Sequence, residues 1–137
     1  MFVVADDTGT VKFWDIRRPE RAYREFMAHT SQSASSIALN PHSKNLIATG
    51  GRDRYIRVWD WSKTTPEPCF AVEMWAPVMR VSWCPEDGTS IWHVASCMAS
   101  SDYNIHVWDI RRPYLPYASF NKHHEAVTGE YFRGDCS

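Results

Sequence analysis

The sequence predicts an all-β fold built from repeated units of short strands. Three runs of alternating apolar and polar residues end in the dipeptide Trp-Asp, which closes at Asp15, Asp60 and Asp109. The spacings of 45 and 49 residues lie near the period of about 40 to 45 residues that four-stranded propeller blades show. Because a closed propeller needs about four to eight blades, a chain of 137 residues predicts an incomplete β-propeller with two full blades and a partial blade at each end.

The predicted strands follow the same order in both full units. In the first of them, Ser35–Pro41, Leu46–Thr49 and Tyr55–Asp60 are strands, and Gly50–Arg54 is a polar turn. The second unit repeats this order at Pro77–Pro85, Ile91–Cys97, Ser100–Tyr103 and Asn104–Asp109. The outer strands AYREFM, CFAVEM and YASF each follow a proline, which suits a sheet edge. The repeats are predicted at residues 1–15 (partial), 29–60, 75–109 and 123–137 (partial).

Composition and charge predict no nucleic-acid partner and no membrane insertion. The chain has 15 basic and 16 acidic residues, so its net charge of -1 creates no overall field that would attract a polyanion. Its apolar runs are shorter than the roughly 18 residues of a membrane-spanning helix. The cysteines are widely spaced, which predicts reduced thiols in the cytoplasm; they are Cys69, Cys84, Cys97 and Cys136.

The Trp-Asp endings and the strand order resemble those of the WD-repeat family. In that family a His, a Ser or Thr, an Asp and the closing Trp form a hydrogen-bonded structural tetrad within a blade. The resemblance assigns this tetrad to His29, Thr49, Asp53 and Trp59. The repeat-closing residues are Trp14, Asp15, Trp59, Asp60, Trp108 and Asp109.

The other units are expected to be degenerate. Met98 is predicted to stand where Thr49 does, and Thr8 where Asp53 does. Met74 and Trp75 take the place of the histidine, whereas His123 is predicted to begin the next blade as His29 does. Blades without a tetrad are then expected to depend on packing.

The sequence predicts no enzyme, no metal site and no cofactor. A Thr, a His and an Asp together resemble a hydrolase triad, but no nucleophile elbow or oxyanion-hole signature accompanies them. Cys69, Cys84, His93 and Cys97 lack the paired spacing that is typical of zinc ligands. Neither set is therefore expected to carry out chemistry.

The hexapeptide WDIRRP occurs twice, at Trp14–Pro19 and at Trp108–Pro113. Its arginines can bind carboxylates through two parallel hydrogen bonds. Connections on a rigid scaffold carry much of a protein's binding function, so these arginines are candidate partner contacts: Arg17, Arg18, Arg111 and Arg112. The alternative is a solvated loop in which they form ion pairs within their own blade.

Three longer segments, WDIRRPERAYREFMAH, ATGGRDRYIRVWD and NIHVWDIRRPYLPYASFNKHHEAVTG, resemble the WD-repeat subunits of the second GATOR complex. The resemblance implies a non-enzymatic scaffold that promotes TOR complex signalling in response to amino acids. It also implies other WD-repeat and Sec13-like propeller subunits as partners, and a cytoplasmic location with recruitment to the lysosomal surface. The alternative is a substrate receptor for a cullin-RING ubiquitin ligase, because WDIR resembles the short box through which some WD-repeat receptors bind the ligase adaptor.

Overall fold

The regular elements of the chain are β-strands arranged in antiparallel sheets. The computed structural model describes residues 1–30, 32–85, 92–98 and 104–121, and eleven strands lie within them. This arrangement confirms the predicted all-β class. The predicted repeat at 123–137, its His123 and the turn at 100–103 lie outside the described residues.

Three sheets follow one another along the chain. The first sheet has the order β1-β2-β3 and contains β1 (Phe2–Ala5), β2 (Thr10–Trp14) and β3 (Arg24–Met27). The second has the order β4-β5-β6-β7 and contains β4 (Ala34–Leu39), β5 (Leu46–Gly51), β6 (Tyr55–Asp60) and β7 (Pro68–Glu73). The third has the order β8-β9-β10-β11 and contains β8 (Val78–Trp83), β9 (His93–Met98), β10 (Ile105–Asp109) and β11 (Ala118–Phe120). Each sheet is therefore a simple up-and-down meander, as in a propeller blade.

The connection between β5 and β6 is tighter than the sequence suggested. Gly50 and Gly51 belong to β5, because they pair with Ser36 and Ala34 of β4. The turn is closed by Arg54, whose φ of 71° lies in the left-handed region. The predicted turn at Gly50–Arg54 therefore begins two residues too early.

Successive sheets pack face to face through aromatic and aliphatic side chains. The Phe13 ring of the first sheet lies 4.9 Å from the Trp61 ring that follows β6, and Phe26 lies 4.9 Å from Trp59. Between the second and third sheets, Phe70 meets Trp92 edge to face at 5.9 Å. These stacked interfaces form the apolar core, as expected for neighbouring blades.

The innermost strands of the second and third sheets lie side by side. The Val81 amide donates to the Ser36 hydroxyl at 3.2 Å, and the Trp83 indole donates to the Ala38 carbonyl at 3.0 Å. Equivalent register shifts occur in β4 and in β8, each near the start of the strand. The two sheets are thus copies of one structural unit. The described residues include no helix that is long and apolar enough to cross a lipid bilayer.

Candidate functional site

The structure brings the predicted tetrad together inside the second sheet. His29 Nδ1 lies 2.9 Å from Asp53 Oδ1, and His29 Nε2 lies 2.9 Å from Thr49 Oγ1. The Trp59 indole donates to the same hydroxyl oxygen at 3.0 Å. His29 and Thr49 are completely buried. The tetrad therefore links the loop before β4 to β5, to the β5–β6 turn and to β6.

One proton arrangement satisfies all four side chains. If His29 Nδ1–H donates to Asp53, then Nε2 is an acceptor for the Thr49 hydroxyl. The Thr49 oxygen remains free to accept from the Trp59 indole. Each buried donor then has an acceptor, so the network stabilises the blade at no cost in unpaired polar groups.

Arg57 is a fifth member of this network that the tetrad pattern does not include. Its Nη1 atom lies 2.5 Å from Asp53 Oδ2 and 3.4 Å from the Ala28 carbonyl oxygen. Its guanidinium also lies over the Tyr55 ring, 4.5 Å from the ring centre. Tyr55 and Arg57 are two residues apart in β6, and this alternation is the sequence signal that places them on one face of the strand. Asp53 reaches Arg57 from the turn that Arg54 closes.

Burial and charge keep the imidazole neutral and the carboxyl ionised. Burial lowers the pKa of His29 below 6.5, and the Arg57 charge lowers it further, against the opposing effect of Asp53. Burial alone would raise the pKa of Asp53, but the Arg57 hydrogen bond and the neighbouring imidazole outweigh it and lower the pKa. The network is therefore a structural unit whose centre, at His29 and Thr49, is buried, while Asp53 and Arg57 at its margin are partly exposed.

Gly51 leaves the space that the His29 ring occupies. A Cβ atom on Gly51 would lie 2.3 Å from His29 Nδ1 and 2.7 Å from Asp53 Oδ1. These separations are far below van der Waals contact. The second glycine of GGRDR is thus required by the tetrad.

The third sheet has a reduced version of the same network. The Trp108 indole donates to the Ser96 hydroxyl at 3.1 Å, and both side chains are buried. Ser96 pairs with His106 as Thr49 pairs with Arg57, so Ser96 stands at the Thr49 position. The prediction that Met98 stands there was wrong. The reason is spacing: the hydroxyl and the closing Trp are 10 residues apart in the second sheet and 12 in the third.

Trp75 replaces the histidine in the third sheet, as the sequence suggested. Its ring lies 4.8 Å from the His106 ring and 6.3 Å from Trp108. In the first sheet Thr8 takes the Asp53 position, and its hydroxyl and amide both donate to Asp6. Packing and local turns therefore take the place of a tetrad in these two sheets.

The three repeat-closing aspartates share one role. Asp15 Oδ1 accepts the amide of Arg17 at 2.9 Å. Asp60 Oδ1 accepts the amide of Ser62 at 3.0 Å, and the same bond at 3.0 Å joins Asp109 to Arg111. Each carboxylate thus fixes the turn that leaves its strand, which explains why Asp follows the closing Trp.

The arginines of the two WDIRRP loops differ in their surroundings. Arg111 binds Asp109 with two hydrogen bonds of 3.0 and 2.9 Å and lies 5.6 Å from the centre of the Trp92 ring. Arg17 approaches Asp15 only to 4.0 Å, and its side chain is 92% exposed. Arg18 and Arg112 are exposed, and within the described part of the chain neither has a carboxylate partner.

The first of these loops borders a surface cleft of about 840 Å³. Its lining residues are Asp15, Arg17, Arg18, Glu20, Arg21, Ala22 and Tyr23. The loop is anchored by Arg24, which donates to the Lys63 and Thr64 carbonyls of the second sheet. Three arginines and two carboxylates line the cleft, and the arginines can bind a partner that carries carboxylates.

Cys69, Cys84, His93 and Cys97 lie in β7, just after β8 and in β9. Cys84 and Cys97 are buried, and Cys69 is exposed. No group of three or more His, Cys, Asp or Glu side chains in the described ranges could hold a metal ion.

Comparison with known proteins supports the repeat assignment. The model of the family described as WD domain, G-beta repeat matches residues 21–60. GATOR2 complex protein WDR24 of Danio rerio is 40% identical over 96% of this chain, and that of Homo sapiens is 39% identical over 96%. The Dictyostelium discoideum protein of the same name is 40% identical over 74% of the chain.

The chain spans only 16% of the length of the Danio rerio and Homo sapiens relatives, and 10% of the Dictyostelium discoideum protein. Among solved structures, a chain of the mitotic checkpoint complex matches with a TM-score of 0.72 at 17% identity. That match covers 92% of this chain and 35% of the other and shows the fold alone. The chain thus belongs to the WD-repeat proteins, has the β-propeller architecture, and is similar along nearly its whole length to the GATOR2 complex proteins named WDR24.

Proposed function

We propose that the chain is a non-enzymatic interaction module that helps to hold a GATOR-type complex together. The similarity to the WDR24 proteins over 96% of the chain supports this role most strongly. The structure adds that the Ser/Thr, His and Asp side chains are used inside the blade, where they hold strands together. Partner binding then depends on surface residues, chiefly those of the loops that connect the strands.

Within this complex, we propose that the chain acts in signalling by the TOR complex in response to amino acids. The chain would act in the cytoplasm and be recruited to the lysosomal surface with its complex. Its partners would be other WD-repeat and Sec13-like propeller subunits. A scaffold of this kind works by presenting fixed contacts, so that association orders few side chains and loses little conformational entropy.

The arginines of the two WDIRRP loops are the proposed partner contacts. Arg18 and Arg112 project from turns that the closing aspartates fix, and both guanidinium groups are exposed. Arg17 is also exposed, whereas Arg111 already binds Asp109. We therefore expect Arg18 and Arg112 to contribute most of the electrostatic attraction, with Arg17 and Arg111 at the margin of the contact.

Charge reversal in the full-length protein tests this function. The tagged wild-type protein should co-purify with the other subunits of the complex, and R18E/R112E should recover about tenfold less of at least one subunit. R52E is a matched control, because Arg52 is exposed in the β5–β6 turn, at the opposite end of the strands from the WDIRRP loops. If the wild-type protein recovers no subunit, the complex assignment is wrong; if R18E/R112E recovers as much as R52E, the contact assignment is wrong.

The substrate-receptor alternative depends on the arginine that ends each WDIR sequence. In the third sheet this arginine, Arg111, holds the closing Asp109 through two hydrogen bonds. That contact gives the residue a role inside its own blade. That contact supports the scaffold function at Arg111, whereas Arg17 is 92% exposed and is not held by two hydrogen bonds.

A further inference from the structure

The two WDIRRP loops share a longer frame than the hexapeptide. A tyrosine follows each Trp by nine residues, at Tyr23 and Tyr117. The Tyr23 amide donates to the Phe13 carbonyl at 2.7 Å, and the Tyr117 amide donates to the Val107 carbonyl at the same distance. The first turn is also repeated, because the backbone amides of Arg18 and Arg112 each donate to the backbone carbonyl of the closing aspartate at 2.9 Å.

Three residues differ between the two frames and change the chemistry of the loop tip. The first loop has Glu20, Arg21 and Ala22 there, whereas the third sheet's loop has Tyr114, Leu115 and Pro116. One backbone frame therefore presents a charged tip in the first sheet and an apolar tip in the third.

The apolar tip is exposed to an unusual degree for such large side chains. Tyr114 is 89% exposed and Leu115 is 78% exposed. Neighbouring Tyr117 is 68% exposed. Clustered apolar side chains of this size on a surface commonly mark a protein-binding site.

Packing of adjacent blades accounts for other exposed apolar residues but not for these. Ile16 is 74% exposed, yet its equivalent Ile110 is 1% exposed because it packs toward the preceding sheet. Phe120 likewise stands at the position of Phe26, which packs against the following sheet. These two exposed residues belong to blade-to-blade faces.

The loop-tip positions remain open whichever neighbour is present. Glu20 and Arg21 are exposed although the second sheet follows theirs, and Tyr114 and Leu115 are exposed although the second sheet precedes theirs. Neither adjacent blade therefore covers a tip of this frame. An apolar tip at this place is available to another molecule.

The frame beneath the apolar tip is held in place. Arg111 is bound to Asp109 by two hydrogen bonds and lies over the Trp92 ring. The Tyr117 ring lies 4.4 Å from the His93 ring. A loop whose base is fixed before association loses less backbone conformational entropy on binding, which favours a role as an anchor.

We propose that Tyr114 and Leu115 form an anchor that inserts into an apolar pocket on another subunit of the complex. Arg112 lies beside them with no carboxylate partner among the described residues. The matching pocket is therefore edged by carboxylates, which pair with this guanidinium. Aromatic and arginine side chains of this kind contribute much of the binding energy at protein interfaces. Since it requires such a complex, the anchor rests on the function proposed above.

The chain itself supplies a conservative variant for the test. In Y114E/L115R/P116A the tip takes the residues that the same frame carries in the first sheet, so the fold of the loop is retained. The tagged full-length variant should recover at least one subunit of the complex about tenfold less well than the wild-type protein. Its melting temperature should be unchanged.

Photo-crosslinking identifies the contact directly. A benzophenone amino acid in place of Tyr114 should crosslink to the subunit whose recovery falls, whereas the same group in place of Arg52, which is exposed in the β5–β6 turn, should not. Wild-type recovery of every subunit by the swapped variant, or equal crosslinking from both positions, would overturn the anchor. If the wild-type protein recovers no subunit at all, the complex assignment fails, and the anchor fails with it.

Discussion

Replacing Thr49 by valine should lower the free energy of local opening of the second sheet. The decrease should exceed the one that removal of the equivalent hydroxyl, that of Ser96, causes in the third sheet. Valine keeps the shape of threonine, but it leaves the Trp59 indole without its acceptor and His29 Nε2 without its hydrogen-bond partner. Each buried polar group that loses its partner costs about 1–3 kcal/mol. The expected loss in the free energy of opening is therefore about 2–6 kcal/mol.

Ser96→Ala is the matched comparison within the same chain. Ser96 accepts only the Trp108 indole among the described contacts, so one group rather than two loses its partner, and the expected cost is about 1–3 kcal/mol. Hydrogen exchange followed by mass spectrometry measures both in the full-length protein. Since a tenfold change corresponds to about 1.4 kcal/mol, exchange in β5 and β6 should accelerate at least about thirtyfold for Thr49→Val. An acceleration below tenfold, or one no larger than that of Ser96→Ala in β9 and β10, would refute the two-bond account.

Three further predictions concern the same network. Gly51→Ala should lower the melting temperature, because its Cβ would lie 2.3 Å from His29 Nδ1. Arg52→Ala is the control, since the Cβ of a Gly50→Ala variant would itself meet Val78 at 2.7 Å. Equal melting temperatures for the Gly51 and Arg52 variants would contradict the predicted clash. Stability should fall as the pH drops through about 6.5, since the pKa of His29 is lower in the folded than in the unfolded chain and the unfolded chain then binds more protons. His29→Gln should flatten this slope, and Arg52→Ala, which removes no imidazole, should not. Arg57→Met should destabilise the blade by about 1–3 kcal/mol, because Asp53 then loses its charged partner, and urea unfolding that shows no change would contradict this role.

The repeat architecture and one tetrad could be predicted because they follow from spacing. The period of the Trp-Asp endings fixes the blade, and the blade fixes where the four side chains of His29, Thr49, Asp53 and Trp59 meet. Ser96 could not be found in this way, because the connection before Trp108 is longer and counting back from the Trp led to Met98. Register, which depends on strand pairing, had to be observed.

The surroundings of the loops also needed the structure. Identical WDIRRP sequences gave the same prediction for Arg17 and Arg111, yet Arg111 binds its aspartate through two hydrogen bonds and Arg17 does not. The Trp92 ring under Arg111 comes from another strand connection, so a local motif could not reveal it. Likewise, the exposure of Tyr114 and Leu115 depends on how neighbouring blades pack.

A cryo-electron microscopy structure of the complex purified through the tagged full-length protein tests the central claim most directly. The scaffold account predicts that the loops at residues 15–23 and 109–117 lie in contact with another subunit, while His29, Thr49, Asp53 and Trp59 remain buried within their blade. A map in which both loops face solvent, or in which no other subunit is bound, would contradict it.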